Sequence, residues 1–182
     1  MTGGSRGIGA AIAQELARKG VRVCLAACDR ARLDAVAASI AATSRSNRTA
    51  VIVGDLREPS LRKVCCRCRS ECLRAAGYPG EQRRSHQARG LFPWPGGLAD
   101  GFALKFHGYV RTTRAAWPHL RESHGCIVNI VGVGSRAGSA EFTIGGSVNV
   151  ALLNFTKAMA DIGTKDGVQA TDGTGDLARA AA

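Results

Sequence analysis

A glycine-rich octet near the start of the chain constrains the fold more than any other feature. Its residues are Thr2, Gly3, Gly4, Ser5, Arg6, Gly7, Ile8 and Gly9. Glycines at this spacing let a backbone turn tightly and approach a pyrophosphate, and the free N–H groups of a following helix favour its negative charge. An alanine-rich segment through Lys19 and a buried-strand pattern at 21–27 follow at once. A glycine-rich turn without this role would not need a helix and a buried strand directly after it. The octet in this setting therefore predicts a dinucleotide-binding loop.

Strand and helix patterns alternate along the rest of the chain. Asp29 is a plausible N-cap for a helix whose apolar face carries Leu33 and Ile40. Residues 50–55 read as a short buried strand that ends in an acid, and residues 126–131 are the clearest buried strand. This alternation predicts an α/β fold with a parallel sheet.

The octet, the strands and Asp55 together resemble the short-chain dehydrogenase/reductase family. The resemblance implies a Rossmann-like, doubly wound parallel sheet. In that family the motif Thr-Gly-x-x-x-Gly-x-Gly binds the cofactor diphosphate, and an Asp after the third strand meets the adenine. The cofactor-binding residues implied here are Thr2, Gly3, Ser5, Arg6, Gly7, Ile8, Gly9, Asp55 and Leu56.

The end of the second family strand distinguishes the two nicotinamide cofactors. An acid there would accept hydrogen bonds from the ribose hydroxyls of NAD, whereas a nearby arginine suits the extra phosphate of NADP. Ala27 and Cys28 occupy that place, and Arg6 lies inside the glycine loop. NADP(H) is therefore favoured over NAD(H), although Arg6 as a solvated loop residue stays an open alternative.

All four catalytic positions of the family are changed in this chain. Alignment places Gly132 at the Ser position, Gly145 at the Tyr position, Asn149 at the Lys position and Lys105 at the Asn position. The spacing is retained, because Asn149 follows Gly145 by one helical turn. Neither glycine has a side chain that can donate or accept a proton, so the family's usual acid–base step cannot operate unchanged.

Two interpretations of that loss remain open. In the first, the protein is an oxidoreductase that transfers hydride between NADP(H) and a carbonyl or alcohol, with impaired turnover. Lys105 and Ser147 are then the candidate catalytic residues, and Ser139 and Thr143 offer further hydroxyls. In the second, the fold is a non-catalytic nucleotide-binding or regulatory module, and Lys105 is a surface lysine.

Residues 61–98 interrupt the resemblance. They hold eight Lys or Arg against Glu71 and Glu81, and four of the seven cysteines of the chain. Removing one base from permitted codons for residues 76–85 yields Pro-Asp-Ile-Leu-Val-Asn-Asn-Ala-Gly, the family strand expected there. We interpret the segment as a frame excursion, which could make the chain a non-functional product of a frame-shifted gene. A zinc-binding or nucleic-acid-binding insert is the alternative.

The resemblance also predicts an incomplete sheet. Only Met1 remains of the first family strand, the fourth lies in the interrupted segment, and the strands after Val168 are expected to be absent. We expect one dinucleotide-binding domain at 1–168, with 61–98 irregular, and an aberrant or disordered tail at 169–182. In the family order 3-2-1-4-5-6-7 the two lost strands are central, which predicts unpaired inner edges and poor folding.

Composition limits the partners. The chain has 182 residues, 45% of them hydrophobic, and a formal charge of +11, of which the interrupted segment supplies a large share. No apolar run approaches the ~18 residues of a membrane span, and no second cysteine pair completes a zinc site. We expect a cytoplasmic protein with a small-molecule carbonyl or alcohol substrate and no metal, membrane or nucleic-acid partner. The resemblance implies a homo-oligomer if the complete fold forms.

Overall fold

The computed structural model describes residues 1–43, 49–58, 75–77 and 97–174. The helices are α1 (Gly7–Arg18), α2 (Arg30–Thr43), α3 (Gly97–Gly101), α4 (His107–Ser123) and α5 (Thr143–Asp166). The strands are β1 (Val23–Ala27), β2 (Thr49–Val53), β3 (Ala75–Gly77), β4 (Cys126–Val131) and β5 (Gln169–Thr174). A π-helical turn at Phe102–Phe106 joins α3 to α4, and short 3-10 turns lie at Val133–Ser135 and Ala140–Phe142.

All five strands pair in parallel, which confirms the predicted fold class. β1 pairs with β2, with Leu25 opposite Val51, and β4 lies between β3 and β5. Strands and helices alternate along the chain because parallel neighbours need a crossover connection. Within the described ranges, no helix combines the length and apolarity that a membrane crossing requires.

The first half of the chain packs around β1. Helices α1 and α2 contribute Ala13, Ala17, Leu33 and Ile40 to a cluster in which Leu25 of β1 is fully buried. Asp29 caps α2, because its Oδ1 accepts a hydrogen bond of 3.0 Å from the backbone N–H of Arg32. The N-cap prediction is confirmed, and this packing fixes α1 beside the strand end that the glycine loop adjoins.

The second half packs around β4. Tyr109 of α4 and Leu152 of α5 are buried with Val131 at the carboxyl end of the strand. Inside this layer Asn129 donates a hydrogen bond of 2.9 Å from Nδ2 to the hydroxyl of Thr156. A buried polar pair of this kind is stable only when both groups are satisfied. Helix α5 therefore has a fixed position against the strand that leads into the candidate site.

The structure corrects the expectation that nothing pairs the inner edge of β1. The N–H of Ala26 donates to the carbonyl of Met1 at 2.9 Å, and Thr2 forms a parallel bridge with Ala26. The amino group of Met1 also donates to the carbonyl of Cys24 at 2.7 Å. Two residues are enough to satisfy part of that edge because the bonds come from the backbone and do not depend on side-chain type.

The sheet is only partial, as expected, but two of its strands form where the sequence predicted none. β3 forms inside the interrupted segment, and β5 occupies the first part of the supposed tail. Both run beside β4, whose backbone groups need partners on either edge. The rest of the interrupted segment up to residue 96, and residues 175–182, lie outside the described residues.

Candidate functional site

The glycine octet forms a tight loop that leads directly into α1. Gly3 and Gly7 adopt positive φ angles of 65° and 56°, a conformation that side chains with a Cβ rarely take. A Cβ on Gly9 would collide with the carbonyl of Gly3, so the loop and the helix touch there through bare backbone. Among the described residues, no atom lies within 4 Å of a Cβ built on Gly7, so this part of the chain leaves space beside the loop.

The remaining loop residues set the beginning of the helix. Helix α1 begins at Gly7, directly after Arg6, whose backbone is extended and whose side chain is exposed. Ser5 is buried, Ile8 is half-buried, and the N–H of Gly4 donates to the carbonyl of Ala26 at 3.4 Å. The first N–H groups of α1 lack partners within the helix, so they are available for an anion at this end.

Asp55 follows β2 and is held by Arg57. Its carboxylate accepts hydrogen bonds from the Arg57 backbone N–H at 2.8 Å and from the guanidinium at 2.6 Å. These bonds hold the pKa of the Asp55 carboxyl below its usual value. The Cβ of Leu56 packs over Gly108 of α4, and the carbonyl of Leu56 accepts a hydrogen bond of 2.6 Å from Arg111. Asp55 is thereby a fixed, ionised acceptor at the end of the strand.

A small cleft separates the glycine-loop strand end from the second half of the chain. It measures about 40 Å³ and is lined by Thr2, Leu56, Gly108, Tyr109 and Asn129, among others. Its walls therefore belong both to the predicted cofactor residues and to α4 and β4.

Lys105, Asn149 and Gly132 come together at the carboxyl end of β4. The Lys105 Nζ donates a hydrogen bond of 2.5 Å to Oδ1 of Asn149, and the N–H of Gly132 donates to the same oxygen at 3.3 Å. Lys105 projects from the π-helical turn before α4, whereas Asn149 belongs to α5 and is 1% exposed. Three of the four aligned catalytic positions are thus in direct contact.

Burial changes the acid–base character of Lys105. It lowers the pKa of the ammonium from 10.5 to about 8, because the charged form loses solvation in the interior. A lysine in this range can give up a proton near neutral pH far more readily than an exposed one. An ammonium of lowered pKa therefore lies at the strand end, where sequence alignment places a family asparagine.

The fourth aligned position is covered by an aromatic ring. A Cβ on Gly145 would overlap three carbon atoms of Phe142, and a Cβ on Gly134 would lie 3.0 Å from the same ring. The Phe142 ring therefore fills the space beside Gly145 in which any side chain at that position would begin. Ser147, the other candidate catalytic residue, is exposed, and its hydroxyl donates to the carbonyl of Thr143 at 2.8 Å.

Comparison with known proteins supports one family. Residues 1–72 match the family model described as short chain dehydrogenase. An uncharacterised oxidoreductase of Mycobacterium tuberculosis is 30% identical over 168 residues, which is 88% of this chain and 61% of that protein. Both matches support a member of the short-chain dehydrogenase/reductase family. It spans about three fifths of the length of this curated relative.

Solved structures of the short-chain dehydrogenase/reductase fold superpose on most of the chain. An NADPH-bound short-chain oxidoreductase from Pseudomonas aeruginosa PAO1, described as containing an atypical catalytic center, gives a TM-score of 0.85 at 21% identity over 98% of this chain and 73% of its own. A short-chain dehydrogenase from Sphingobium yanoikuyae in complex with NADPH gives a TM-score of 0.78 at 26% identity over 94% of this chain and 67% of its own. The Rossmann-like fold is thereby confirmed.

Sequence reasoning missed three features of this site. It treated Asn149 as a lost lysine, not as a hydrogen-bond partner of Lys105. It gave no role to Phe142, although this residue lies one helical turn before Gly145. It also passed over Ser135, whose buried hydroxyl lacks a hydrogen-bond partner among the described residues. The position of Ser135, three residues after Gly132, was the available signal.

Proposed function

We propose that the protein binds NADP(H) in preference to NAD(H) and transfers hydride slowly between it and a small carbonyl or alcohol compound. The observation that carries the proposal is the half-buried Lys105 ammonium at the carboxyl end of β4. It donates a hydrogen bond to Asn149 Oδ1, which also accepts one from the Gly132 N–H. This end of a parallel strand is where ligands bind in open α/β sheets.

The glycine loop fits a dinucleotide. The close contact between Gly9 and the Gly3 carbonyl leaves no room for side chains, and open space lies above Gly7. A pyrophosphate at the start of α1 would therefore meet backbone N–H groups with no steric obstacle. Two relatives by fold were solved with NADPH, and no acid follows β1 at Cys28 to favour the ribose of NAD. Arg6 is then the side chain that would receive the additional phosphate.

The proton in this proposal comes from Lys105. The bound nicotinamide cofactor supplies the hydride that forms the new C–H bond of the product. The Lys105 ammonium gives one proton to the carbonyl oxygen, becomes a neutral amine and regains a proton from water. In alcohol oxidation the neutral amine accepts the hydroxyl proton instead. The hydroxyls of Ser147, Ser139 and Thr143 are the remaining candidates for orienting the substrate.

A non-catalytic nucleotide-binding module is the second candidate function. It is favoured by the two glycines at aligned catalytic positions and by the Phe142 ring beside Gly145. A polar substrate group has no hydroxyl partner at either of those positions. In this case the loop would bind the cofactor, and the Lys105–Asn149 contact would only stabilise the site.

One pair of assays separates the two candidates. NADPH and NADH binding is measured by calorimetry, and NADPH consumption is followed with a panel of carbonyl compounds. The first candidate requires tighter binding of NADPH and a slow turnover that Lys105→Met abolishes. Lys157→Met, on the exposed side of α5, is the matched control and should keep the rate. Binding without consumption of NADPH favours the module, and the absence of binding overturns both.

A further inference from the structure

The two residues in contact at the site occupy each other's aligned positions. The family places an asparagine on the central helix and a lysine on the following long helix. This chain carries Lys105 at the first position and Asn149 at the second. Their side chains meet at 2.5 Å although 44 residues separate them along the chain. The site therefore still contains one ammonium and one carboxamide.

The absence of a side chain at Gly132 leaves room for the Asn149 carboxamide. Its N–H donates to Oδ1 of Asn149, and a Cβ at residue 132 would lie 2.8 Å from Nδ2 of the same carboxamide. A serine here would require the Asn149 carboxamide to shift, because real Cβ atoms do not come within 3.0 Å of another heavy atom. The glycine at the aligned Ser position thus leaves room for the carboxamide where it lies.

We propose that Lys105 and Asn149 are a reciprocal exchange, in which Asn149 is a positioning residue that directs the Lys105 ammonium toward the substrate side of the site. The inference deepens the proposed function and rests on it for the role of the ammonium. The exchange concerns only these two side chains. The site holds one ammonium and one carboxamide, and its stability depends on the presence of both.

The physical reason is the satisfaction of buried groups. Asn149 is almost fully buried, and its Oδ1 accepts from both Lys105 and Gly132. Asn149→Lys would place two like charges in the same buried space and remove the acceptor. Lys105→Asn would leave a carboxamide oxygen without its charged donor. The double variant K105N/N149K restores one charged donor and one carboxamide, so its defects should not add.

A double-mutant cycle tests the exchange. Thermal unfolding and NADPH binding are measured for the unmodified chain, K105N, N149K and K105N/N149K. We expect N149K to unfold at the lowest temperature and to weaken NADPH binding by about tenfold or more, and the double variant to recover most of both losses. The matched control is the exchange N154K/K157N on the exposed side of α5, for which the departure from additivity should be small, because charges three residues apart on an exposed helix face interact weakly.

The positioning role has its own readout. Asn149→Leu keeps the size of the side chain but removes the oxygen. We expect it to lower kcat for the NADPH-dependent reaction by about tenfold while KM for NADPH changes less than about twofold. Additive losses in the double-mutant cycle would overturn the exchange, and an unchanged kcat in Asn149→Leu would overturn the positioning role. Failure of the unmodified chain to bind NADPH would instead overturn the proposed function, because the thermal cycle still measures the pair.

Discussion

The ring of Phe142 lies against the α-carbon of Gly145, in the space that any side chain at residue 145 would enter first. Three ring carbons lie within overlap distance of a Cβ built there. Phe142 closes the 3-10 turn that leads directly into α5. Any side chain at residue 145 therefore requires the Phe142 ring to move.

We expect Gly145→Tyr to destabilise the chain and to add no activity. Overpacking of this kind typically costs about 1–3 kcal/mol. The double variant G145Y/F142A removes the ring and should recover much of the loss in thermal unfolding. Gly138→Ala is the control, because a Cβ there would meet no atom within 4 Å. Equal stability of Gly145→Tyr and Gly138→Ala would contradict the overlap.

The glycine loop gives a second prediction. Gly9→Ala would drive a methyl group into the carbonyl of Gly3 and separate the loop from the start of α1. We expect NADPH affinity to fall by at least about tenfold, since backbone placement around a phosphate tolerates little displacement. The measurement is calorimetric titration with NADPH. Gly138→Ala again serves as control, and unchanged affinity in Gly9→Ala would exclude the loop as the phosphate site.

Local chemistry explains what could be predicted from the sequence. The octet requires glycine for reasons confined to a few bonds, as the positive φ angles of Gly3 and Gly7 show. Asp29 caps α2 within three residues of itself. The apolar composition of β4 alone predicts a buried strand, and the predicted bounds agree with the structure. Each of these features depends on neighbours in sequence.

Features that depend on distant neighbours could not be predicted. β5 has the polar sequence Gln-Ala-Thr-Asp-Gly-Thr, which carries little strand propensity, and it forms because β4 offers an unpaired edge. Alignment placed Lys105 and Asn149 at family positions, but it could not show that their side chains meet. The position of the Phe142 ring likewise depends on the fold of a loop whose sequence has no regular period.

The Asp55–Arg57 pair gives a third prediction, on pH. Its hydrogen bonds lower the pKa of the Asp55 carboxyl below the value of the unfolded chain, about 4. The stabilisation is therefore present above that pH and is lost as the pH falls through the lower folded pKa. Arg57 is 53% exposed, so we expect less than about 1 kcal/mol.

Thermal unfolding of the unmodified chain and Arg57→Gln from pH 6 to pH 3 measures this effect. The variant should unfold at a slightly lower temperature near pH 6, and the two curves should converge toward pH 3. Arg30→Gln breaks the exposed pair with Asp34, whose side chains are 71% and 50% exposed, and should give a smaller difference. If the difference in unfolding temperature between the unmodified chain and Arg57→Gln grew as the pH fell, the stabilisation could not come from the ionised Asp55 carboxyl.

Lys105 gives the fourth prediction, which concerns alkaline rather than acid pH. Its pKa is about 8 in the folded chain and 10.5 when unperturbed, so the unfolded chain binds more protons between these values. The free energy of unfolding should therefore rise across this window relative to Lys105→Met, by roughly 3 kcal/mol at most. Carbonyl reduction should fall above about pH 8, because the ammonium is then lost.

Both pH effects of Lys105 can be measured on the same samples. Chemical unfolding from pH 7 to pH 11 is compared between the unmodified chain, Lys105→Met and the exposed-site control Lys157→Met. The other titrating groups are shared by all three proteins, so their contributions cancel in the differences. The control should follow the unmodified chain at every pH. If the free energy of unfolding of Lys105→Met changed with pH just as that of the unmodified chain does, the Lys105 ammonium would be as well solvated in the folded chain as in the unfolded one. Lys105 could not then be the proton donor proposed for this site.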